Sequence, residues 1–232
     1  MKPVRIPPIA PVLFLVGAAA AIVWLRPRPL PVQPHPLVQQ VNAFFEAASS
    51  GQATQAGLLA ALYAAPPDRL RITKNRLLAV ELFADGDGAI STSDVLAVDM
   101  GTQAAVKRNT CLYWRRHGDT WELDVDASTI DALTINFLRV VRDGNEAALL
   151  PYLPPDRRSP DRARKLLDRY NWLPDDKPVY KQFKVLGVEL RESTQRAIST
   201  ALWSIPGTEQ QHRIAIKWLK ADGSWWVEPV GE

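Results

Sequence analysis

The chain has one cysteine, Cys111, and three widely separated histidines, His35, His117 and His212, in 232 residues. A single thiol excludes an intramolecular disulfide. No cysteine pair and no histidine cluster supplies the spacing a zinc site needs, so neither a metal nor a cofactor is expected. Charge of one sign is also scarce: 28 Lys and Arg against 25 Asp and Glu leave a net charge of +3. The pI near 9.1 therefore reflects a small basic excess and not a polybasic domain, which argues against a nucleic-acid partner. The near absence of cysteine fits an oxidising compartment, and Cys111 itself reads as a small strand residue.

What the sequence does hold is an ordinary globular mix, 47% hydrophobic and 23% charged, with eight tryptophans whose large rings could seat two modest cores. From Ile6 to Leu25 run 20 residues without a charge. At 1.5 Å rise per residue they reach about 30 Å, the hydrocarbon thickness of a bilayer. Lys2 and Arg5 precede the run, Arg26 and Arg28 follow it, and Trp24 stands where an interfacial ring belongs. Residues 1–25 are thus expected to be a transmembrane anchor. The alternative is a signal peptide cleaved near Ala18 to Ala21, although Ile22-Val23-Trp24-Leu25 carries the apolar run past that point. Residues 26–36 hold five prolines and favour a stiff polyproline II spacer, at about 3.1 Å per residue.

The rest of the chain repeats itself. Leu78, Val80, Glu81, Leu82, Ala89, Ile90, Ser91 and Thr92 recur in order and spacing as Leu186, Val188, Glu189, Leu190, Ala197, Ile198, Ser199 and Thr200. Trp114 and Trp121, seven residues apart, bracket a Gly/Asp turn, as do Trp218 and Trp225. Phe44 and Gly51 share the spacing of Phe137 and Gly144, and Pro66-Pro67-Asp68-Arg69 recurs as Pro154-Pro155-Asp156-Arg157. Two domains follow, at about residues 37–127 and 128–232. In each, apolar residues first fall at helical spacing (Val38, Val41, Phe44, Phe45; Ile130, Leu133, Phe137, Val140) and a second helical stretch follows. Alternation comes next: Leu78, Val80, Leu82; Leu112, Trp114; Trp121, Leu123, Val125; and their counterparts in the second copy. Helices before an antiparallel sheet make an α+β fold. Trp121 and Trp225 are expected to point into the two cores and Trp226 to the opposite face.

This order, closed by the hairpins Gly118-Asp119-Thr120-Trp121 and Asp222-Gly223-Ser224-Trp225, resembles the cystatin-like cone of the nuclear-transport-factor-two-like superfamily. The resemblance implies helices packed on a curved antiparallel sheet. The layout of tether plus cone is also similar to bitopic subunits of bacterial secretion and conjugation machines.

Other motifs read more plainly as structure. Asp85-Gly86-Asp87-Gly88 resembles the middle of a calcium loop, but the first ligand position falls on Phe83, and Asp-Gly is a strong hairpin signal. Glu81 and Glu189 recur but face away from Val80 and Leu82. The basic stretch Asp156 to Arg169 is interleaved with carboxylates, as on a solvated helix. Catalytic residues are therefore not assigned. The candidate interaction surface is Trp226 with Arg157, Arg158 and Arg162. The expectation is a non-catalytic scaffold or interaction subunit of the cell envelope. It would be single-pass in the inner membrane with its domains in the periplasm, would bind envelope proteins, and could form a homo-oligomer. A carrier or sensor of a small apolar ligand is the alternative, and a polyketide-cyclase-like enzyme the third.

Overall fold

The computed structural model describes residues 35–50, 56–63, 69–171, 182–191, 195–205, 209 and 211–228. The expected anchor, most of the spacer, Pro66 to Asp68 of the first PPDR motif and the 193–194 hairpin tip lie outside them. Among the described residues no helix is long and apolar enough to cross a membrane. The first repeat consists of α1 (Pro36–Ser49), α2 (Ala56–Tyr63), β1 (Leu70–Leu82), β2 (Gly88–Asp99), β3 (Ala105–His117) and β4 (Thr120–Leu123). The second consists of α3 (Val125–Arg142), two 3-10 turns (Ala147–Tyr152 and Pro155–Arg157), α4 (Pro160–Tyr170), β5 (Gln182–Arg191), β6 (Arg196–Ser204), β7 (Gln211–Ala221) and β8 (Ser224–Val227). Each set of four strands is an antiparallel meander in sequence order. The fold is α+β, and residues 36–232 make one compact unit with two hydrophobic cores.

Local chemistry accounts for the elements. Leu37, Val41, Phe45 and Ala48 form the buried stripe of α1. Ile130, Thr134, Leu138 and Val141 form a buried stripe of α3 at the same spacing. Asp124 caps α3 by accepting from the Ala127 amide at 3.0 Å. Ser159 caps α4, with Pro160 in the first turn, where its missing N–H costs nothing. The β7–β8 turn puts Asp222 and Gly223 at φ +51° and +75°, the left-handed pair that a two-residue hairpin of native twist needs. The strand reading of Val125 is corrected here: β4 ends at Leu123, and with Asp124 as the cap Val125 opens α3. The 127/128 position expected to divide the domains thus falls near the start of a helix.

The two sheets match in detail. Trp114 Nε1 donates to Ser91 Oγ at 2.8 Å, and Trp218 Nε1 donates to Ser199 Oγ at 2.8 Å. All four side chains are buried. The Arg116 amide donates to the Asp87 carbonyl and the Lys220 amide to the Gln195 carbonyl, at 2.9 and 2.8 Å. A bulge interrupts the β1–β2 ladder at Leu78, and another interrupts β5–β6 at Leu186, its counterpart. Both bulged leucines are thrown into solvent, 45% and 44% exposed, so the simple alternation of Leu78, Val80 and Leu82 does not hold. Trp121 and Trp225 are buried in the first and second cores respectively, as their alternation indicated.

Helix α3 belongs to both halves. Ten of its eighteen residues are buried, more than one face can supply. Ile130, Phe137 and Val141 enter the second core, while Ala132 enters the first. Asn136 Nδ2 donates to the Ala61 carbonyl at 2.6 Å, and Arg108 Nη1 donates to Asn136 Oδ1 at 2.8 Å and to the Leu62 carbonyl at 2.9 Å. Two carboxylates anchor the helix start in opposite directions. Asp124 takes Arg115 Nε of the first sheet at 2.6 Å. Asp126 takes Lys220 Nζ at 2.8 Å and Trp225 Nε1 at 3.1 Å from the second. Both also sit favourably at the positive end of the helix dipole.

The paired Trp–Ser bonds yield a direct test. Ser91→Ala and Ser199→Ala each leave a buried indole N–H unpaired, and each should lower stability in urea unfolding by about 1–3 kcal/mol. A much smaller loss in either would show that the bond has no structural weight in that repeat.

Candidate interaction surface

The outer faces of the two sheets carry the same recess, differently filled. In the first repeat it is lined by Gly88 of β2, Tyr113 and Arg115 of β3, and Asp124. Ala127 of α3 and Val188 and Leu190 of β5 close over it, leaving a cleft of about 290 Å³. In the second repeat the equivalent positions are Arg196, Lys217, Leu219 and Glu228, and these line a cleft of about 680 Å³. Pro154, Asp156 and Arg157 of the 3-10 turn and Arg169 and Tyr170 of α4 complete it. Four cations therefore face two carboxylates, and the lining is basic. Exposure follows the same division: Tyr113 is buried and Cys111 half-buried, while their counterparts Lys217 and Ala215 are exposed.

Of the residues singled out from the sequence, Arg157 lines this cleft. Trp226 is half-buried on β8, directly across from Leu219, and the Arg158 guanidinium stands 5.4 Å over its ring. Such a pairing is a cation–π contact. Arg162 lies in the first turn of α4, half-buried, and is not among the residues lining the cleft. Arg169, read from the sequence only as part of a solvated basic helix, also lines the cleft, and Arg196 and Lys217 were missed. The signal existed in the repeat itself: Gly88 becomes Arg196, and Tyr113 becomes Lys217.

The junction between the halves holds a second arrangement that periodicity alone did not expose. Ser128, Asp131 and Thr134 form a polar stripe three residues apart on α3, and all three are buried. Ser128 Oγ accepts from the Tyr113 amide at 2.9 Å, where β4 has already ended and supplies no partner. The Tyr113 hydroxyl stands 3.2 Å from Asp131 Oδ1. Burial raises the Asp131 carboxyl to about 7, only partly offset by the Tyr113 hydrogen bond. Burial raises Tyr113 as well, reinforced by the Asp131 charge. The Cys111 thiol is pushed up to about 11 by burial and by Asp131, and stands 3.8 Å from Thr92 Oγ1. A thiol held so far from ionisation is a poor nucleophile at neutral pH.

The remaining motifs sit at the surface. In the Asp85–Gly88 hairpin tip, Asp85 Oδ1 accepts from the Asp87 amide at 3.0 Å and Gly86 takes φ +76°. A Cβ at Gly88 would meet the Phe83 ring, so a side chain there would require that half-exposed ring to shift. Glu81 and Glu189 are exposed, and Glu189 pairs with Arg191 at 3.0 Å. His117 is exposed beside Glu122 at 3.4 Å. Among the described residues no group of three or more His, Cys, Asp or Glu could hold a metal ion.

No family model matches the chain. Comparison with curated proteins finds no match either.

Asp131 makes stability depend on pH with a definite sign. The folded carboxyl keeps its proton up to about 7, whereas an ordinary one releases it near 3.8. Folding therefore binds a proton between these values, and stability falls as pH rises through that window. Asp131→Asn should remove this slope and stabilise the protein above neutrality, by up to about 4 kcal/mol for a shift of that size. Equilibrium unfolding at a series of pH values checks it, and an unchanged slope in the variant would assign the titration elsewhere.

Proposed function

We propose that the chain is a non-catalytic, membrane-anchored envelope protein whose tandem domains act as an interaction or scaffold subunit. The observation that carries this reading is the duplicated recess, filled in one repeat by the protein's own other half and open in the other, with a basic rim. A surface built to be covered, and covered once within the chain, is the form a docking site takes. Aromatic and arginine side chains, here Trp226 with Arg158 and Arg157, are those most enriched at interface hot spots.

The interior of the second repeat also favours binding at the surface over carriage of a small apolar ligand. A carrier would keep space between helices and sheet. Here Phe137 meets Tyr152, Tyr170 and Trp218 edge to face, with ring centroids 5.3, 5.3 and 6.2 Å apart. Trp203 and Trp225 fill the same core. Under this reading each repeat is a cone of the nuclear-transport-factor-two-like type, residues 1–25 hold the protein in the inner membrane, and the Pro-rich spacer sets the domains off the bilayer on the periplasmic side.

Three measurements test the reading. A phosphatase fused to the C-terminus should be active, and activity only from a cytoplasm-dependent reporter would refute the topology. Affinity capture of the full-length protein from membranes should retain envelope proteins. Trp226→Ala should reduce that retention while lowering the melting temperature less than Trp225→Ala, whose buried ring is worth about 3–5 kcal/mol. Equal thermal losses would make Trp226 a core residue instead.

A further inference from the structure

The first recess is closed by β5, which presents Val188 and Leu190 to it. The counterparts of these two residues in the first repeat are Val80 and Leu82 on β1. Leu82 is 54% exposed, and Phe83 beside it is 41% exposed. Together with Leu78 they place three large apolar side chains on one short, solvent-facing segment. Exposed apolar clusters of this kind mark contact surfaces. The tandem thus carries a second apolar strand end and a second recess of the same kind, with Phe83, Asp85 and Asp87 of the β1–β2 hairpin also bordering the first recess beside Val188 and Leu190. The apolar end of β1 is the part that would enter, and the open recess at Arg196, Lys217 and Leu219 is the part that would receive it.

Charge agrees with this matching. From Leu77 to Thr92 the sequence has Glu81, Asp85 and Asp87 and no Lys or Arg. The receiving recess has Arg157, Arg169, Arg196 and Lys217 against Asp156 and Glu228. The internal joint differs in kind, because Gly88 and Tyr113 stand where the open recess has Arg196 and Lys217, and the buried Asp131–Tyr113 contact has no equivalent there. An acidic hairpin end suits the basic recess, and the lack of the buried polar contact makes the joint reversible.

We propose that the protein self-associates head to tail, the β1 end of one copy (Val80, Leu82 and the acidic hairpin tip) docking in the basic recess of the second repeat of the next. This rests on the reading of the chain as an interaction subunit and names its partner as a second copy of itself. The contact is heterologous, so each copy keeps one free end of each kind, and association proceeds to a ring or an open chain.

Cysteine crosslinking of the full-length protein in detergent tests it. In the first repeat's recess Leu190 stands with Arg115. The corresponding intermolecular pair is Leu82 with Leu219, one exposed and one half-buried, so both tolerate substitution. In a Cys111→Ala background, Leu82→Cys mixed with Leu219→Cys should give crosslinked dimers on oxidation. The double variant should give a ladder of dimers, trimers and higher species. Adding Arg196→Glu and Lys217→Glu should reduce crosslinked product at fixed concentration by about tenfold, as expected for reversed charge at a contact. No intermolecular product from the mixture would overturn the proposal, as would crosslinking of Leu82→Cys to itself, the mark of a two-fold dimer. Sedimentation of the unaltered protein should show mass rising with concentration, and a monomer throughout would also overturn it. Any of these failures would leave the capture of other envelope proteins, and so the broader reading, untouched.

Discussion

Helix α3 is the constraint on which the rest depends. It must serve as the first core helix of the second repeat and at the same time cover the outer edge of the first sheet. Its sequence shows the double duty. Ile130, Leu138 and Val141 make the same buried stripe that Leu37, Phe45 and Ala48 make on α1. On another side lie Ser128, Asp131 and Asn136, each bonded to the first repeat. A helix buried on several sides leaves little freedom in how the two sheets are set, because Asp124 and Asp126 anchor it to opposite sheets within its first turn.

The polar contacts of this junction contribute more to specificity than to stability. A buried carboxylate costs desolvation that one tyrosine hydroxyl does not repay, which is why Asp131 holds its proton toward neutrality. What Ser128, Asp131 and Asn136 supply is geometry. They fix the position of α3 along β3 by satisfying particular groups, the Tyr113 amide among them, where β4 stops too early to do so. An all-apolar contact would bury similar area but tolerate sliding.

Duplication is the second organising fact, and its copies diverge where each surface meets something different. Trp114 with Ser91 and Trp218 with Ser199 keep the same buried bond, because each core needs its indole satisfied. Tyr113 and Lys217 occupy the same place on their strands, yet one is buried and the other exposed. The difference follows from connectivity: the chain passes from Asp124 into α3, which covers the first sheet's outer face.

Much of the fold was legible in the sequence because it rests on local regularities. Helical spacing located α1 and α3, period-two alternation located β3, β4, β7 and β8, and the Trp–turn–Trp motif located both closing hairpins and the inward direction of Trp121 and Trp225. The duplication, and with it a pair of like α+β units, was determined by the sequence alone. The bulges at Leu78 and Leu186, the helical start at Val125, the burial of Asp131 and the gathering of Arg157, Arg169, Arg196 and Lys217 around one cleft were decided by the tertiary structure. The physical reason is that periodicity reports which side of its own element a residue occupies. Whether another element then covers that side depends on contacts between residues far apart in the chain.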